Sequence, residues 1–388
     1  MATEVNVYRT LQKHLDKMPL GYPPTKSGVE INILKSIFTP EQAKIATYLD
    51  YKHKTIDQIY ETAEVDVNSK EELKRVLDET VSKGGISRRN RDGTEQYAVL
   101  PFLSWGMYEH QLKRLNQAFL DDSTEYITGE YALELATGSL PLMRVIPIEE
   151  SVEAEHYIAT YDELFRMIEQ AGERIAIQEC FCRKAGDLQE KPCQATDRRE
   201  VCMSFGDLAD LYVEEGWARK INQQEALEMA RLNEKEGLVL MPGNDQEPNF
   251  MCSCCYDCCL VLTLIKNYPK PAEAVASNYN ATVNTELCTG VGACVERCPL
   301  GALSLNNGFA TIELARCIGC GLCVPVCPED AISMVKKELE ITPPLTMEER
   351  FDLELAKKNT LSGKIRNYSL KTFLRIVFRL APAPDSTN

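Results

Sequence analysis

The stretch CIGCGLCVPVCP sets Cys317, Cys320, Cys323 and Cys327 at intervals of two, two and three residues and closes on Pro328. Thiols this closely spaced converge on one point only where the backbone turns tightly, and Gly319 and Gly321 permit turns that a Cβ would resist. The spacing C-x2-C-x2-C-x3-C-P is that of a four-iron cluster loop, in which the thiolates hold iron while backbone N–H groups wrap the sulfurs. A second copy lies upstream in CTGVGACVERCP, where one constant shift sets Cys288 on Cys317, Cys294 on Cys323 and Cys298 on Cys327. The repeat continues past the cysteines, with CPLGALSL over CPEDAISM. In this frame Val291 occupies the position of Cys320, so the valine replaces a ligand and is not a slip of register.

Residues 280–338 resemble the bacterial dicluster ferredoxins. The resemblance implies a [4Fe–4S] cluster on Cys317, Cys320, Cys323 and Cys298, the fourth cysteine of each run serving the other cluster. It implies a second cluster on Cys288, Cys294 and Cys327, which Val291 cannot join. That arrangement is similar to the seven-iron ferredoxins, where loss of the second cysteine leaves a [3Fe–4S] cluster. A [4Fe–4S] cluster with an open iron and a fourth ligand from elsewhere in the chain are the alternatives.

Nine further cysteines fall in two groups upstream: Cys180, Cys182, Cys193 and Cys202, then Cys252, Cys254, Cys255, Cys258 and Cys259 in CSCCYDCC. Nine thiols suffice for two four-thiolate sites with one to spare. If CCYDCCLVLTLI is helical, Cys254 and Cys258 share one face and Cys255 and Cys259 another, so one helix could serve two sites. The favoured occupant is one or two additional [4Fe–4S] clusters, since redox centres work in chains; a zinc site on Cys180, Cys182, Cys193 and Cys202 remains open, because zinc also takes four thiolates. The 16 cysteines accompany only four histidines, His14, His53, His110 and His156, none of them within a cysteine cluster. His110 and His156 lack neighbours at ligand spacing, and a place on a helix surface or in the core is expected for both.

The cysteine-free first third reads differently. Capping boxes at Thr39–Gln42 (with Pro40 in the first turn), Thr55–Gln58 and Ser69–Glu72 each precede an apolar stripe at helical spacing. Asp92-Gly93 then marks a hairpin turn between two short strands. Residues 28–104 thus resemble a winged helix–turn–helix domain. On DNA, its third helix would enter the major groove and Arg88, Arg89 and Arg91 would meet phosphates. Glu71, Glu72, Asp78 and Glu79 on that helix, and a formal net charge of -15 for the chain, argue against nucleic acid and for a scaffold or docking module.

The tail 364–380 carries Lys364, Arg366, Lys371, Arg375 and Arg379 without an acid, and its apolar residues Leu370, Phe373, Leu374, Val377 and Phe378 gather largely on one helical face. It is expected to pack back on the acidic body or to dock on a partner; binding at a membrane surface is the third reading. No stretch approaches the length of a bilayer span and the opening residues lack an apolar signal core, so a cytoplasmic protein is expected, with no integral membrane segment.

The expected fold class is therefore α+β: a winged-helix-like domain (1–104), a cysteine-rich, mostly helical iron–sulfur domain (105–265), a dicluster ferredoxin domain (266–340) and a helical tail (341–388). The whole chain also resembles a group of proteins of this length from anaerobes, named only as iron–sulfur binding or ferredoxin-like; PLGYPPTKSGVEINILKSIFTPEQA, CFCR and CSCCYDCC carry the likeness. The resemblance implies an electron carrier, or the electron-transfer subunit of an anaerobic redox complex, more than a stand-alone enzyme. Its partners would be oxidoreductase subunits or ferredoxin-like donors and acceptors. An iron–sulfur-sensing winged-helix regulator and an enzyme using an open-iron cluster are the alternatives. No G-x-G-x-x-G follows a strand pattern, which argues against bound flavin or nicotinamide.

Overall fold

The structure, a computed structural model, describes residues 2–152 and 163–377, with side chains for 7–152, 163–373 and Arg375. His156, Phe378 and Arg379, and the side chains of Leu374 and Val377, lie outside the described residues. Helices and strands are mixed along the chain, as the α+β expectation required. The chain divides into two compact units: residues up to Leu140 together with those from Glu348 onward, and residues Pro141–Met347.

In the first unit, α1 (Ala2–Leu15), α2 (Val29–Ile37) and α3 (Pro40–Ala46) are followed by β1 (Lys54–Thr55), α4 (Ile56–Ala63), α5 (Lys70–Ser82) and the hairpin β2 (Ile86–Arg91) and β3 (Thr94–Val99). The capping boxes at Thr39 and Thr55 form reciprocally, and each fixes a helix start at the expected residue. At Ser69 the box is offset by one residue. The Ser69 hydroxyl accepts from the Glu72 amide, but the Glu72 carboxylate turns to the backbone and side chain of Asn68. Positive φ at Asp92 (52°) and Gly93 (80°) makes the tight hairpin turn whose twist suits paired strands. β1 adds to β3, giving the sheet order β1-β3-β2. Ile45, Leu49, Ile59, Leu73, Val76, Leu77 and Val81 of the apolar stripes are buried, and Ile56 and Tyr60 are half-buried.

Helices α6 (Gln117–Thr128) and α7 (Glu130–Thr137) complete this stretch around a cluster of aromatic rings. Phe102 packs edge-on to Tyr22, Tyr108, Tyr126 and Tyr131 with ring centroids 5.4–5.7 Å apart. The last two helices of the chain, Met347–Asn359 and Leu361–Val377, return to this unit. Lys358 and Lys371 pair with Glu134 at 2.8 and 2.6 Å, and Arg375 pairs with Glu130 at 2.5 Å. Arg366, Lys371 and Arg375 of the tail are thus turned onto α7, while Leu361, Ile365, Tyr368 and Phe373 stay exposed.

The second unit is built on a five-stranded antiparallel sheet that the cysteine-rich sequence did not announce. Helix α8 (Leu164–Ala171) leads into β4 (Ile175–Glu179), α9 (Phe181–Leu188), β5 (Glu200–Phe205), α10 (Gly206–Glu214), β6 (Arg219–Ile221), α11 (Gln223–Lys235), β7 (Val239–Pro242) and β8 (Phe250–Cys254). The strand order is β6-β4-β5-β8-β7. The sheet takes up Phe250–Cys254, and α12 (Leu260–Lys266) begins only after Cys259, so the helical spacing considered for CCYDCC does not apply. Cross-strand pairing of Cys252 with Met241 and Cys254 with Val239 holds these cysteines extended, and pairing of this kind overrides local helical periodicity.

Residues from β9 (Tyr279–Val283) onward express the cysteine-run repeat in three dimensions. β10 (Leu303–Asn306) and β11 (Phe309–Ile312) form a hairpin, and β12 (Ile332–Lys336) pairs antiparallel with β9. The shift that carries Cys288 onto Cys317 also carries β9 onto β11 and β10 onto β12. The first strand of each repeat therefore pairs with the last strand of the other. Neither repeat has a complete sheet of its own.

Candidate metal centres

The backbone of the two cysteine runs is duplicated down to single hydrogen bonds. Gly290 and Gly292 have φ of 73° and 84°; their repeat equivalents, Gly319 and Gly321, have 73° and 75°. The amide of Ala302 donates to Cys298 Sγ at 3.2 Å, and at the equivalent place that of Ala331 donates to Cys327 Sγ at 3.3 Å. A Cβ at Gly319 would lie 2.3 Å from the Tyr279 carbonyl oxygen, so only glycine fits that turn.

Two cavities result, and each draws on both repeats. Cys298 lines one with Cys317, Cys320 and Cys323. Cys327 lines the other with Cys288, Cys294 and Val291. Val291 is 63 % exposed, so the position that would carry a fourth thiol opens to solvent, and no other cysteine lines that cavity. Desolvation pushes the Cys320 thiol up to about 12 and raises Cys323 and Cys294 as well. Buried thiols of this kind become thiolates only when a metal compensates their charge. No thiol of either cavity is hydrogen-bonded to another among the described residues; each set encloses a void instead. This donor set fits iron–sulfur clusters, whose inorganic core keeps the protein thiolates apart.

The nine central cysteines are arranged otherwise. Six neighbour one another in a closed ring in the order Cys180, Cys182, Cys259, Cys254, Cys252, Cys202 and back to Cys180. Strand geometry accounts for half of it. Cys252 and Cys254 stand on one face of β8 because side chains alternate along a strand. The register that pairs Met203 with Met251 sets Cys202 of β5 opposite Cys252. Cys180 and Cys182 come from the start of α9, and Cys259 caps α12. Hydrogen bonds from neighbouring thiols hold Cys180 and Cys259 well below the usual thiol range and push Cys182, Cys202 and Cys254 well above it.

Cys193, Cys255 and Cys258 form a separate group with Asp257, whose ligand atoms all lie within 4.8 Å of one another. Cys193 Sγ is 3.7 Å from both Cys255 Sγ and Asp257 Oδ1, and Cys255 and Cys258 are 2.9 Å apart. Arg183, fully buried, lies between the ring and this group. Its Nε donates to Cys193 Sγ at 3.4 Å and its Nη1 to the Ser253 carbonyl at 3.4 Å, while Nη2 has no partner among the described residues. Burial alone would lower the guanidinium's pKa, but Cys180 and Cys202 of the ring, with Cys193 and Cys255, outweigh it and raise it. A buried cation among thiols is tolerated where some of them are thiolates. The partition into six and three, with Asp257 and Arg183 added, is the feature that the sequence reading missed. Two signals were present: an acid inside Cys255-Tyr256-Asp257-Cys258, and an arginine directly after Cys180-Phe181-Cys182.

His14, His53 and His110, and Arg88 and Arg89 of the hairpin, are engaged or buried within the first unit. His14 bonds the Leu49 carbonyl, His53 pairs with Glu348, and His110 is buried. Arg88 pairs with Asp78 at 3.2 Å and Arg89 with Glu348 at 2.9 Å. On α5, Lys74 and Arg75 are likewise paired, with Asp78 and Glu79 at 2.9 and 2.7 Å.

Comparison with known proteins bears on one segment. Residues 310–333 match the family described as 4Fe-4S binding domain. This region is iron–sulfur and ferredoxin-like. A probable ferredoxin of Methanosarcina thermophila is 59 % identical over 27 residues, which are 7 % of this chain and 47 % of that protein. The chain thus spans about half the length of that curated relative. No solved structure matches. Among the described residues no helix is long and apolar enough to cross a membrane.

Proposed function

We propose that the protein is an iron–sulfur electron carrier, or the electron-transfer subunit of an anaerobic redox complex, that passes single electrons through several clusters. The observation that carries this reading is the pair of repeat-related cavities, each lined by the cysteines of one expected cluster. Cys317, Cys320, Cys323 and Cys298 would hold a [4Fe–4S] cluster, and Cys288, Cys294 and Cys327 a [3Fe–4S] cluster. The six-thiol ring would hold a further iron–sulfur centre. Clusters bound this way change oxidation state with little rearrangement, and burial and N–H bonds to sulfur tune their potentials. Ala302 and Ala331 would supply such N–H groups. The net charge of -15 favours docking on a basic partner surface.

The exposure of Val291 favours a second form of the altered cluster, a [4Fe–4S] cluster whose open iron meets solvent or a small ligand. A DNA-reading role draws less support, because Arg88 and Arg89 are already paired with carboxylates. The test is EPR spectroscopy of the anaerobically purified protein as isolated. A [3Fe–4S] signal that disappears in Cys294→Ser supports the reading. Iron analysis that finds a single cluster in the 288–327 segment would sink it.

A further inference from the structure

We propose that Cys193, Cys255, Cys258 and Asp257 form a closed four-coordinate site for one zinc ion, distinct from the six-thiol ring. The inference does not rest on the electron-transfer reading.

Distance is the first argument. Four ligands set tetrahedrally about an ion with bonds of about 2.3 Å lie about 3.8 Å from each other. Two of the separations here are 3.7 Å, and every ligand atom lies within 4.8 Å of the rest. A four-iron cubane carries its thiolates on outer corners, with a metal–metal edge between them, and spreads them further. The ferredoxin cavities and the ring supply the internal contrast, since among the described residues no other set of three or more cysteine, histidine or carboxylate ligand atoms lies mutually that close. Cys255 and Cys258, at 2.9 Å, are closer than that spacing and would part by about 0.9 Å around the ion, yet they stand well outside the bonded sulfur–sulfur distance of about 2.05 Å.

The carboxylate supplies the second argument. Asp257 Oδ2 accepts from the Gln194 amide at 2.5 Å, which aims Oδ1 at Cys193 Sγ. Ligands of zinc sites are oriented by such outer hydrogen bonds. Three thiolates and a carboxylate occupy all four positions, as in sites that brace a fold and unlike those that keep a position for substrate. Their four negative charges exceed those of the ion by two, and buried Arg183 at Cys193 Sγ offsets one. Cys193 sits in an irregular segment between α9 and β5, whereas the other three ligands lie between β8 and α12. The ion would therefore staple that segment beside the ring.

The experiment uses the full chain, purified anaerobically without chelators, with elemental analysis and zinc-edge X-ray absorption. The expected result is one zinc per chain, with about three sulfurs near 2.3 Å and one oxygen near 2.0 Å. Cys258→Ser and Asp257→Asn should each weaken zinc retention at least about tenfold, since even outer-shell changes cost that much. Iron content and cluster EPR signals should stay at their wild-type level. Wild-type protein without zinc overturns the proposal, as does a four-sulfur shell, a Cys255–Cys258 disulfide found by thiol counting, or loss of iron with zinc in Cys258→Ser. The wild-type measurements decide even where a variant fails to fold, and the iron readout keeps this outcome separate from the fate of the electron-transfer reading.

Discussion

The ferredoxin segment and the central cysteines bring their thiols together in opposite ways. In the former, two short loops carry seven thiols, and glycines at fixed offsets bend each loop around its cavity. In the latter, six thiols converge from α9, β5, β8 and α12, whose residues are far apart in sequence. Each run is a local object, fixed by near neighbours in sequence, even though its last cysteine serves the other run's cavity. The ring is a tertiary object: its thiols meet only because the sheet pairs β5 with β8. Loss of its occupant should therefore cost the fold as well as the centre.

The largest expected effect tests that difference. Replacing Cys180 and Cys202 together by serine removes two ring thiols that face Arg183 and leaves a buried cation undercompensated. Breaking a buried pair costs about 3–5 kcal/mol. At about 2–4 °C per kcal/mol for a unit of this size, the melting temperature should fall by roughly 6–20 °C. Cys294→Ser, by contrast, should remove one cluster signal and shift melting far less. Equal melting shifts in the two variants, followed by circular dichroism under anaerobic conditions, would break the distinction.

The next effect lies within the ferredoxin repeat. Val291 is the one ligand position where the two runs differ, on a backbone otherwise duplicated at Gly290 and Gly292. Val291→Cys should add about one iron per chain and exchange the [3Fe–4S] signal for that of a reduced [4Fe–4S] cluster. The reverse change, Cys320→Val, should create a second altered cluster. An iron count unmoved by either substitution would mean that the valine does not control nuclearity.

How much of this could be read from the chain follows the same division. The cysteine spacing and the constant shift made the two runs legible, and the cysteines lining each cavity are those that the ferredoxin resemblance groups together. The capping boxes at Thr39 and Thr55 and the Asp92-Gly93 turn were legible for the same reason: each is settled by near neighbours in sequence. The central sheet was not legible. β4, β5 and β8 are only five or six residues long, and Cys202, Cys252 and Cys254 mask the alternation that would mark β5 and β8 as strands. The helical pairing of Cys254 with Cys258 failed because cross-strand partners on β7 hold Cys254 extended. Asp257 and Arg183 carried no weight until folding set them beside Cys193.

A smaller effect sharpens the role of Arg183. Replacement of a buried cation by a neutral group makes adding an electron harder nearby, so Arg183→Gln should lower the potential of the ring's centre. A shift of about 60 mV corresponds to a tenfold change for a one-electron couple. The ferredoxin clusters, which Arg183 does not touch, should keep their potentials in the same anaerobic titration. Movement of every centre together would mean that the substitution acts through the fold and not through charge.

The smallest effect belongs to the unit without cysteines and serves as the control. Burial opposes ionisation of Glu134, but Lys371 and Lys358 outweigh it and hold its pKa down at about 2, against 4.5 for an unperturbed carboxyl. A carboxyl whose pKa is depressed on folding contributes stability above the unfolded value and loses it as pH falls toward the folded one. The contribution should therefore be complete above pH 4.5 and fade down to about pH 2. The shift amounts to at most about 3 kcal/mol, and solvent around the two lysines reduces that to about 1–2 kcal/mol. Glu134→Gln should lower stability by that amount near neutral pH and flatten its dependence on pH below 4.5. It should leave the iron content and every EPR signal unchanged. A cluster signal that moved with Glu134 would tie the metal centres to the tail's contacts on α7, and the division between a cysteine-free scaffold and a metal-binding unit would have to be abandoned.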